Sequence, residues 1–156
     1  MWWRVAAQEW NERHGDGLRS ELSSLVEAGD EPGLLAYEGE DPVGWVALAP
    51  RAKYPRLDRS SKLKPVDDAP VWSVTCFYID RHHRRQGVAT ELLQAAVDYA
   101  KAHGAEIVEG YPIDVSSQRS VTSAGIFTGT LAMFEEAGFR EVIRRGGRPI
   151  VRLAIR

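Results

Sequence analysis

The segment Val71–Ile79 is apolar on both of its alternating faces, with Val71, Phe77 and Ile79 on one and Trp72, Val74 and Cys76 on the other. A strand of that kind belongs in the middle of a sheet covered on both sides. A short basic turn follows it, Arg84-Arg85-Gln86-Gly87-Val88-Ala89-Thr90, and then a segment of helical period from Val88 to His103. Val88, Leu92, Leu93, Ala96 and Tyr99/Ala100 fall on one face of that helix, and Gly104 ends it. Strand, basic turn and helix start together point to an anion site. The first N–H groups of a helix have no intrahelical partner, and the helix dipole favours negative charge there. Gly87 has no Cβ and permits a close approach. Ala89 keeps the next turn open, Thr90 adds a hydroxyl, and Arg84 and Arg85 supply positive charge suited to a pyrophosphate. The same turn also reads as an ordinary solvated connection.

The remaining elements alternate between strand and helix. Trp2–Val5 reads as a short first strand and Asp16–Ala28 as a helix, with Leu18, Leu22, Leu25 and Val26 on one face. Leu34–Tyr37 and Val43–Ala49 read as a hairpin about Glu38-Gly39-Glu40-Asp41-Pro42. Pro50–Pro70 carries four prolines and reads as a long loop, either functional or a passive excursion. Ile107–Ile113 reads as a strand interrupted late by Pro112, Val115–Phe127 as irregular, and Thr128–Ala137 as a short helix. Phe139–Arg145 and Pro149–Ile155 close the chain as a hairpin about Gly146-Gly147. The expected fold class is α/β (α+β): one domain over residues 1–156, with a mixed, mostly antiparallel sheet and helices on both faces.

Composition narrows the partners. A net charge of −2 offers no global field for nucleic acid or an anionic membrane, so neither is expected as a partner. One cysteine, Cys76, excludes an internal disulfide and fits a reducing compartment. Met1-Trp2-Trp3-Arg4 leads into polar sequence rather than a secretory leader, and the expected location is cytoplasmic. His82 and His83 lack further ligands at metal-binding spacing, so no metal is expected. Cys76, mid-strand, reads as a core residue whose thiol burial would hold protonated. Arg144, Arg145, Arg148 and Arg152 read as a solvated face of the terminal hairpin, or less readily as a surface for an acidic partner. Trp2, Trp3 and Trp10 read as core, with an acceptor pocket or a homodimer contact as the alternatives.

Arg84-x-x-Gly87-x-Ala89 resembles the Arg/Gln-x-x-Gly-x-Gly/Ala signature of the GNAT superfamily of acyl-CoA-dependent N-acetyltransferases. Met133-Phe134-Glu135-Glu136-Ala137-Gly138-Phe139 is similar to that family's helix ending in Gly-Phe before a terminal strand pair. The resemblance implies that Arg84, Arg85, Gln86, Gly87, Val88, Ala89 and Thr90 bind the coenzyme A pyrophosphate. It also implies that the backbone of Phe77, Tyr78 and Ile79 pairs with the pantetheine arm. Acetyl-CoA is then the acyl donor, and a primary amine on a small molecule or peptide is the acceptor. The family's central strand carries a bulge whose backbone N–H binds the thioester oxygen, which here points to Cys76–Tyr78. The amine is expected in the gap between Val71–Ile79 and Ile107–Ile113.

An alkyl amine of pKa about 10.4 is neutral in only about one molecule per thousand at pH 7, so a base is needed. Asp114 is the first candidate, with Asp67 and Asp68 eligible, and Tyr111 is a candidate acceptor-pocket residue or replacement acid. Thr128 and Thr130 are further hydroxyls for that second role. The family's usual thiolate-protonating tyrosine is replaced by Phe134, and Phe127 stands where an asparagine is common. Those departures leave a non-catalytic acyl-CoA-binding sensor or partner-binding module as the rival reading.

Overall fold

The strands Gly33–Glu38 (β1), Asp41–Pro50 (β2), Trp72–Ile79 (β3), Ile107–Gly110 (β4), Arg140–Arg145 (β5) and Arg148–Ala154 (β6) form one sheet. The structure is a computed structural model that describes residues 1–13, 15–117 and 126–155. Strand order is β1-β2-β3-β4-β6-β5, and every pairing is antiparallel except β3 with β4. The helices are Ala7–Glu12 (α1), Asp16–Glu27 (α2), Pro55–Asp58 (α3), Val88–Ala102 (α4) and Leu131–Glu136 (α5). The mixed, mostly antiparallel sheet expected from the sequence is therefore observed.

Each sheet face has its own core. On one, Leu92, Leu93, Ala96, Val97 and Ala100 of α4 pack with Val46, Val74, Val108 and Val151, and α5 adds Phe134. Gly110 of β4 makes room for that phenylalanine, since a Cβ there would run into the Phe134 ring. On the other face Ala49, Tyr54, Leu57, Leu63, Tyr111 and Ile150 form a second core. Ile150 and Val151 are neighbours on β6 and go to opposite cores, as the alternation of a strand demands.

Several expectations are corrected. Trp2–Val5 is a turn, with Arg4 N–H donating to the Met1 carbonyl at 2.8 Å, and leads into α1, which the sequence pattern did not reveal. Pro50–Pro70 is no passive loop. A 3-10 turn at Arg51–Lys53 and α3 send Tyr54, Leu57 and Leu63 into the second core. Their apolar spacing was masked by the prolines, and Pro55 merely occupies the first turn of α3, where its missing N–H costs nothing. Helix α5 begins three residues later than expected, because Thr130 is extended and accepts the Met133 N–H as its cap. Of the stretch Val115–Phe127, residues 118–125 lie outside the described residues.

The four hairpin arginines, of which Arg144 is exposed, are engaged in ion pairs and hydrogen bonds. Asp58, Arg51, Glu109, Arg152 and Asp67 form a row of alternating charge. Arg144 pairs with Asp114 and Glu141, and Arg145 donates to the Lys64 and Pro65 carbonyls. Arg148 donates to the Tyr111 carbonyl and to Thr128 Oγ1. These side chains fasten the 51–70 segment and the strand-exit residues 111–114 to the terminal hairpin.

Two departures from regularity shape the centre of the sheet. In β3 the partners of Ala47 and Leu48 are Cys76 and Val74, so Thr75 is an extra residue in the ladder. This bulge breaks the strict alternation expected for Val71–Ile79. Val74 and Phe77, three residues apart, both reach the α4 core. The second departure is the early end of β4. Pairing with β3 stops at Val74–Gly110, and the chain then turns away as Ile113 exchanges bonds with Gly129 and Leu131. The parallel pair thus splays beyond Val74, and the Phe77 N–H donates instead to the Phe127 carbonyl at 2.6 Å.

Candidate active site

The turn between β3 and α4 is wound by its own residues. Asp80 Oδ1 accepts the His82 N–H at 2.9 Å, and Gln86 Nε2 donates to the His82 carbonyl at 2.8 Å. Arg84 Nε donates to the Ile79 carbonyl at 3.1 Å, tying the turn to the strand end. Arg85 and Gly87 have φ of 61° and 85°, so left-handed residues flank Gln86. Alternation of that kind turns successive N–H groups toward one concavity, an anion-binding arrangement. No side chain caps α4, and its first helical bond runs from Glu91 N–H to the Gly87 carbonyl. The earlier N–H groups therefore have no intrahelical partner. A Cβ on Gly87 would meet nothing within 4 Å, so the approach is open and glycine is required by its φ rather than by crowding.

A cavity of about 820 Å³ lies against this turn. It is bounded by Phe77, Tyr78 and Ile79 on one side, by Arg84, Arg85, Gly87, Val88, Ala89 and Thr90 at one end, and by Met133 opposite. Of the residues expected at a coenzyme site, all but Gln86 line it, and the Gln86 side chain is spent on holding the turn. The dimensions, the basic end and the free helix start fit an elongated ligand with a phosphate group.

A second cavity, of about 710 Å³, opens on the other side of the bulge. Thr75, Cys76, Phe77 and Tyr78 line it, and Phe77, Tyr78 and Phe127 are shared with the first cavity. The amine was expected between the two central strands; no residue of β4 lines this cavity. The N-terminal segment walls it instead, anchored where Trp3 Nε1 donates to the Thr75 carbonyl at 3.1 Å. Trp3 stacks on Phe127 with ring centroids 6.4 Å apart, and Trp2 meets Trp10 edge-on at 5.1 Å. Trp45 of β2 closes one side. Tryptophans expected in the core thus form cavity walls. Trp45, Tyr54, Thr75 and Arg4 escaped the sequence reading, because nothing local marks residues that converge only through the fold.

The acid–base candidates sit as follows. Asp114 is held by Arg144 at 2.7 Å and by the Ser116 hydroxyl at 2.6 Å. These bonds, Ser116 first, keep its carboxyl below the ordinary aspartate range and weaken it as a base. Asp67 is similarly lowered by Arg152. Neither Asp67 nor Asp68 lines the two cavities beside the bulge. Tyr111 is wholly buried, donates to Glu109 Oε1 at 2.7 Å, accepts from Arg51 at 2.8 Å and pairs with Ser73. Burial, reinforced by Glu109, pushes its phenol well above the usual value, and it lines neither cavity. Thr128 accepts from Arg148, and Thr130 caps α5. Phe134 is buried against Phe77 and Phe139 and also lines neither cavity. Cys76 faces the second cavity, and burial raises its thiol, which keeps it protonated at neutral pH.

Comparison with known proteins agrees with this architecture. The sequence model of the GNAT acetyltransferase family matches residues 1–121. No curated protein matches the sequence. Among solved structures, a ribosomal-protein-alanine N-acetyltransferase from Brucella melitensis superposes with a TM-score of 0.57 at 16% identity, covering 94% of this chain and 83% of that one. An N-acetyltransferase from Staphylococcus aureus Mu50 gives 0.56 at 16% identity, with 90% and 77% covered. The PaiA N-acetyltransferase of Thermoplasma acidophilum, solved in complex with coenzyme A, gives 0.55 at 16% identity, with 90% and 70% covered. At such identities the likeness is one of fold. With the family model matching most of its length, and with a basic turn, bulged central strand and splayed parallel pair in place, the chain belongs to the GNAT acetyltransferase family.

Proposed function

We propose that this protein transfers the acetyl group of acetyl-CoA to the nitrogen of a primary amine. The observation that carries the reading is that two cavities meet at Phe77, Tyr78 and Phe127, beside the bulge. The larger, at the α4 start, is the coenzyme site, with Arg84–Thr90 on the pyrophosphate and Phe77–Ile79 along the pantetheine arm. The smaller is the acceptor site.

The chemistry follows from what each wall offers. The Phe77 N–H already holds a carbonyl oxygen, that of Phe127, at 2.6 Å. That oxygen stands in for the thioester oxygen, which takes the same donor once the Phe127 carbonyl yields it. A fixed backbone donor aimed at developing negative charge is worth about 10²–10³ in rate in comparable sites. The amine lone pair attacks the thioester carbon, the C–N bond forms, the C–S bond breaks, and the thiolate takes a proton from water. A thiol of pKa about 8.5 leaves without a dedicated acid, so Phe134 in place of a tyrosine is tolerated.

The amine must also lose a proton. Among the described residues, no carboxylate or histidine lines the acceptor cavity. The apolar walls help by disfavouring the ammonium form, and the proton departs to water. The log of kcat/KM should therefore climb with unit slope from pH 6 toward the pKa of the free amine. A plateau near pH 7 would assign the proton to a protein base instead. The decisive assay follows free thiol release from acetyl-CoA with a panel of primary amines and identifies the amide by mass. Coenzyme binding without amine-dependent thiol release from pH 6 to 9 would replace this reading by that of an acyl-CoA-binding module.

A further inference from the structure

We propose that the acceptor is an α-amino acid with an aromatic side chain, its carboxylate held by Arg4 and its ring lying among the N-terminal tryptophans. The inference rests on the acetyl-transfer reading above and narrows it. Three features of the acceptor cavity carry it.

The walls are aromatic to an unusual degree. Trp2, Trp3, Trp10, Trp45, Tyr78 and Phe127 line a space of about 710 Å³, and Trp2 and Tyr78 also show exposed surface. Flat π faces set edge-on and stacked select a flat apolar body. They also argue against a polyamine or amino sugar, since no carboxylate among the described residues lines the cavity to receive further cationic groups.

Arg4 is the second feature. Its guanidinium lies 4.7 Å from the Tyr54 ring centroid, and its single hydrogen bond among the described residues is a long 3.5 Å contact to the Tyr54 hydroxyl. Half-buried at the cavity wall, it has no carboxylate partner among the described residues. By contrast Arg51, Arg144 and Arg152 are each paired with two acids. A half-buried guanidinium with free donors fits a carboxylate supplied by a ligand.

The third feature is where this polar corner sits. Tyr54 neighbours Thr75 on the cavity wall, and the Thr75 Oγ1 is buried and closes no hydrogen bond. Thr75 is the bulge residue, next to the backbone that faces both cavities. A carboxylate on Arg4 and an amine beside the bulge thus fall in adjacent places. An α-amino acid, whose amine and carboxylate share one carbon, meets that arrangement, while its side chain extends across the tryptophans.

The test compares L-phenylalanine, phenethylamine (the same amine without the carboxylate), spermidine and glucosamine as acceptors for wild type and Arg4→Gln, following thiol release. L-Phenylalanine should exceed phenethylamine at least tenfold in kcat/KM, with the difference mainly in KM, and both should exceed the two polar amines. Arg4→Gln should erase the advantage of L-phenylalanine and leave phenethylamine within about threefold, which also certifies the fold of the variant. Preference for spermidine or glucosamine, or an L-phenylalanine advantage that survives Arg4→Gln, overturns the proposal and leaves acetyl transfer intact. If no amine releases thiol, the acetyl-transfer reading fails. The occupant is then judged by quenching of tryptophan fluorescence. Saturable quenching by L-phenylalanine that Arg4→Gln abolishes supports the assignment, and its absence at millimolar ligand refutes it.

Discussion

Tyr111 shows how burial separates two roles that look alike in sequence. Its phenol sits between Ser73, Arg51 and Glu109, fully covered, in the charged row that binds the 51–70 segment to the terminal hairpin. Tyr111→Phe removes one hydroxyl and leaves Glu109 and Ser73 short of a partner, a loss of about 1–3 kcal/mol for buried groups of this kind. Denaturant unfolding should show that loss, while kcat at saturating substrate stays within about threefold. A hundredfold fall in kcat with undiminished stability would return Tyr111 to the chemistry. Gly87 is the opposite case, an exposed residue whose backbone angle is the point. Gly87→Glu forces a side chain onto a φ of 85° and sets a negative charge at the helix start. Calorimetry should show coenzyme A binding weakened more than tenfold, or about 1.4 kcal/mol and above. Unchanged affinity in the folded variant would move the pyrophosphate elsewhere.

At the scale of elements, the β3–α4 turn is tethered to the end of β1 through one histidine. His83 bonds Glu38 at 3.0 Å and Asp80 at 3.1 Å. Those two acceptors, Glu38 first, raise its pKa above the usual 6.5. A histidine whose folded pKa is raised adds stability that is complete below about pH 6.5, its unfolded value, and is lost as pH rises through the folded value. Glu38 and Asp80 are the titrating groups facing it. Thermal melts of wild type and His83→Gln should therefore differ most near pH 6 and converge by pH 9. A gap that widens with pH would contradict the tether.

The same scale explains what was legible in the sequence. The strand, basic turn and helix at Val71–His103 could be read because each is a local pattern, and so could the two hairpins. A bulge near Cys76–Tyr78 was implied only by the resemblance, and its place at Thr75 could not be read from the residues, since Thr75 looks like any alternating residue until its neighbours on β2 are known. Nor could the ends of β4 and the role of Arg144–Arg152, which depend on partners 30 or more residues away. The basic turn proposed for the coenzyme was visible because its residues are contiguous. The aromatic-walled cavity proposed for the acceptor was hidden because Arg4, Trp45, Tyr54, Thr75 and Phe127 come from five separate segments.

Taken as a whole, the molecule sets two cavities against one bulged strand, and this arrangement has a kinetic signature. Both substrates must be present together for the amine to reach the thioester directly. Cys76 is the only thiol, and it lines the cavity proposed for the acceptor, where a covalent detour would have to pass. Its raised pKa argues against that detour. The measurement is the initial velocity of thiol release with acetyl-CoA and the best acceptor amine varied against each other. Double-reciprocal lines should intersect, and Cys76→Ala should retain the same pattern and most of the rate. Parallel lines, with an acetyl group trapped on Cys76 in the absence of amine, would contradict direct transfer across the strand.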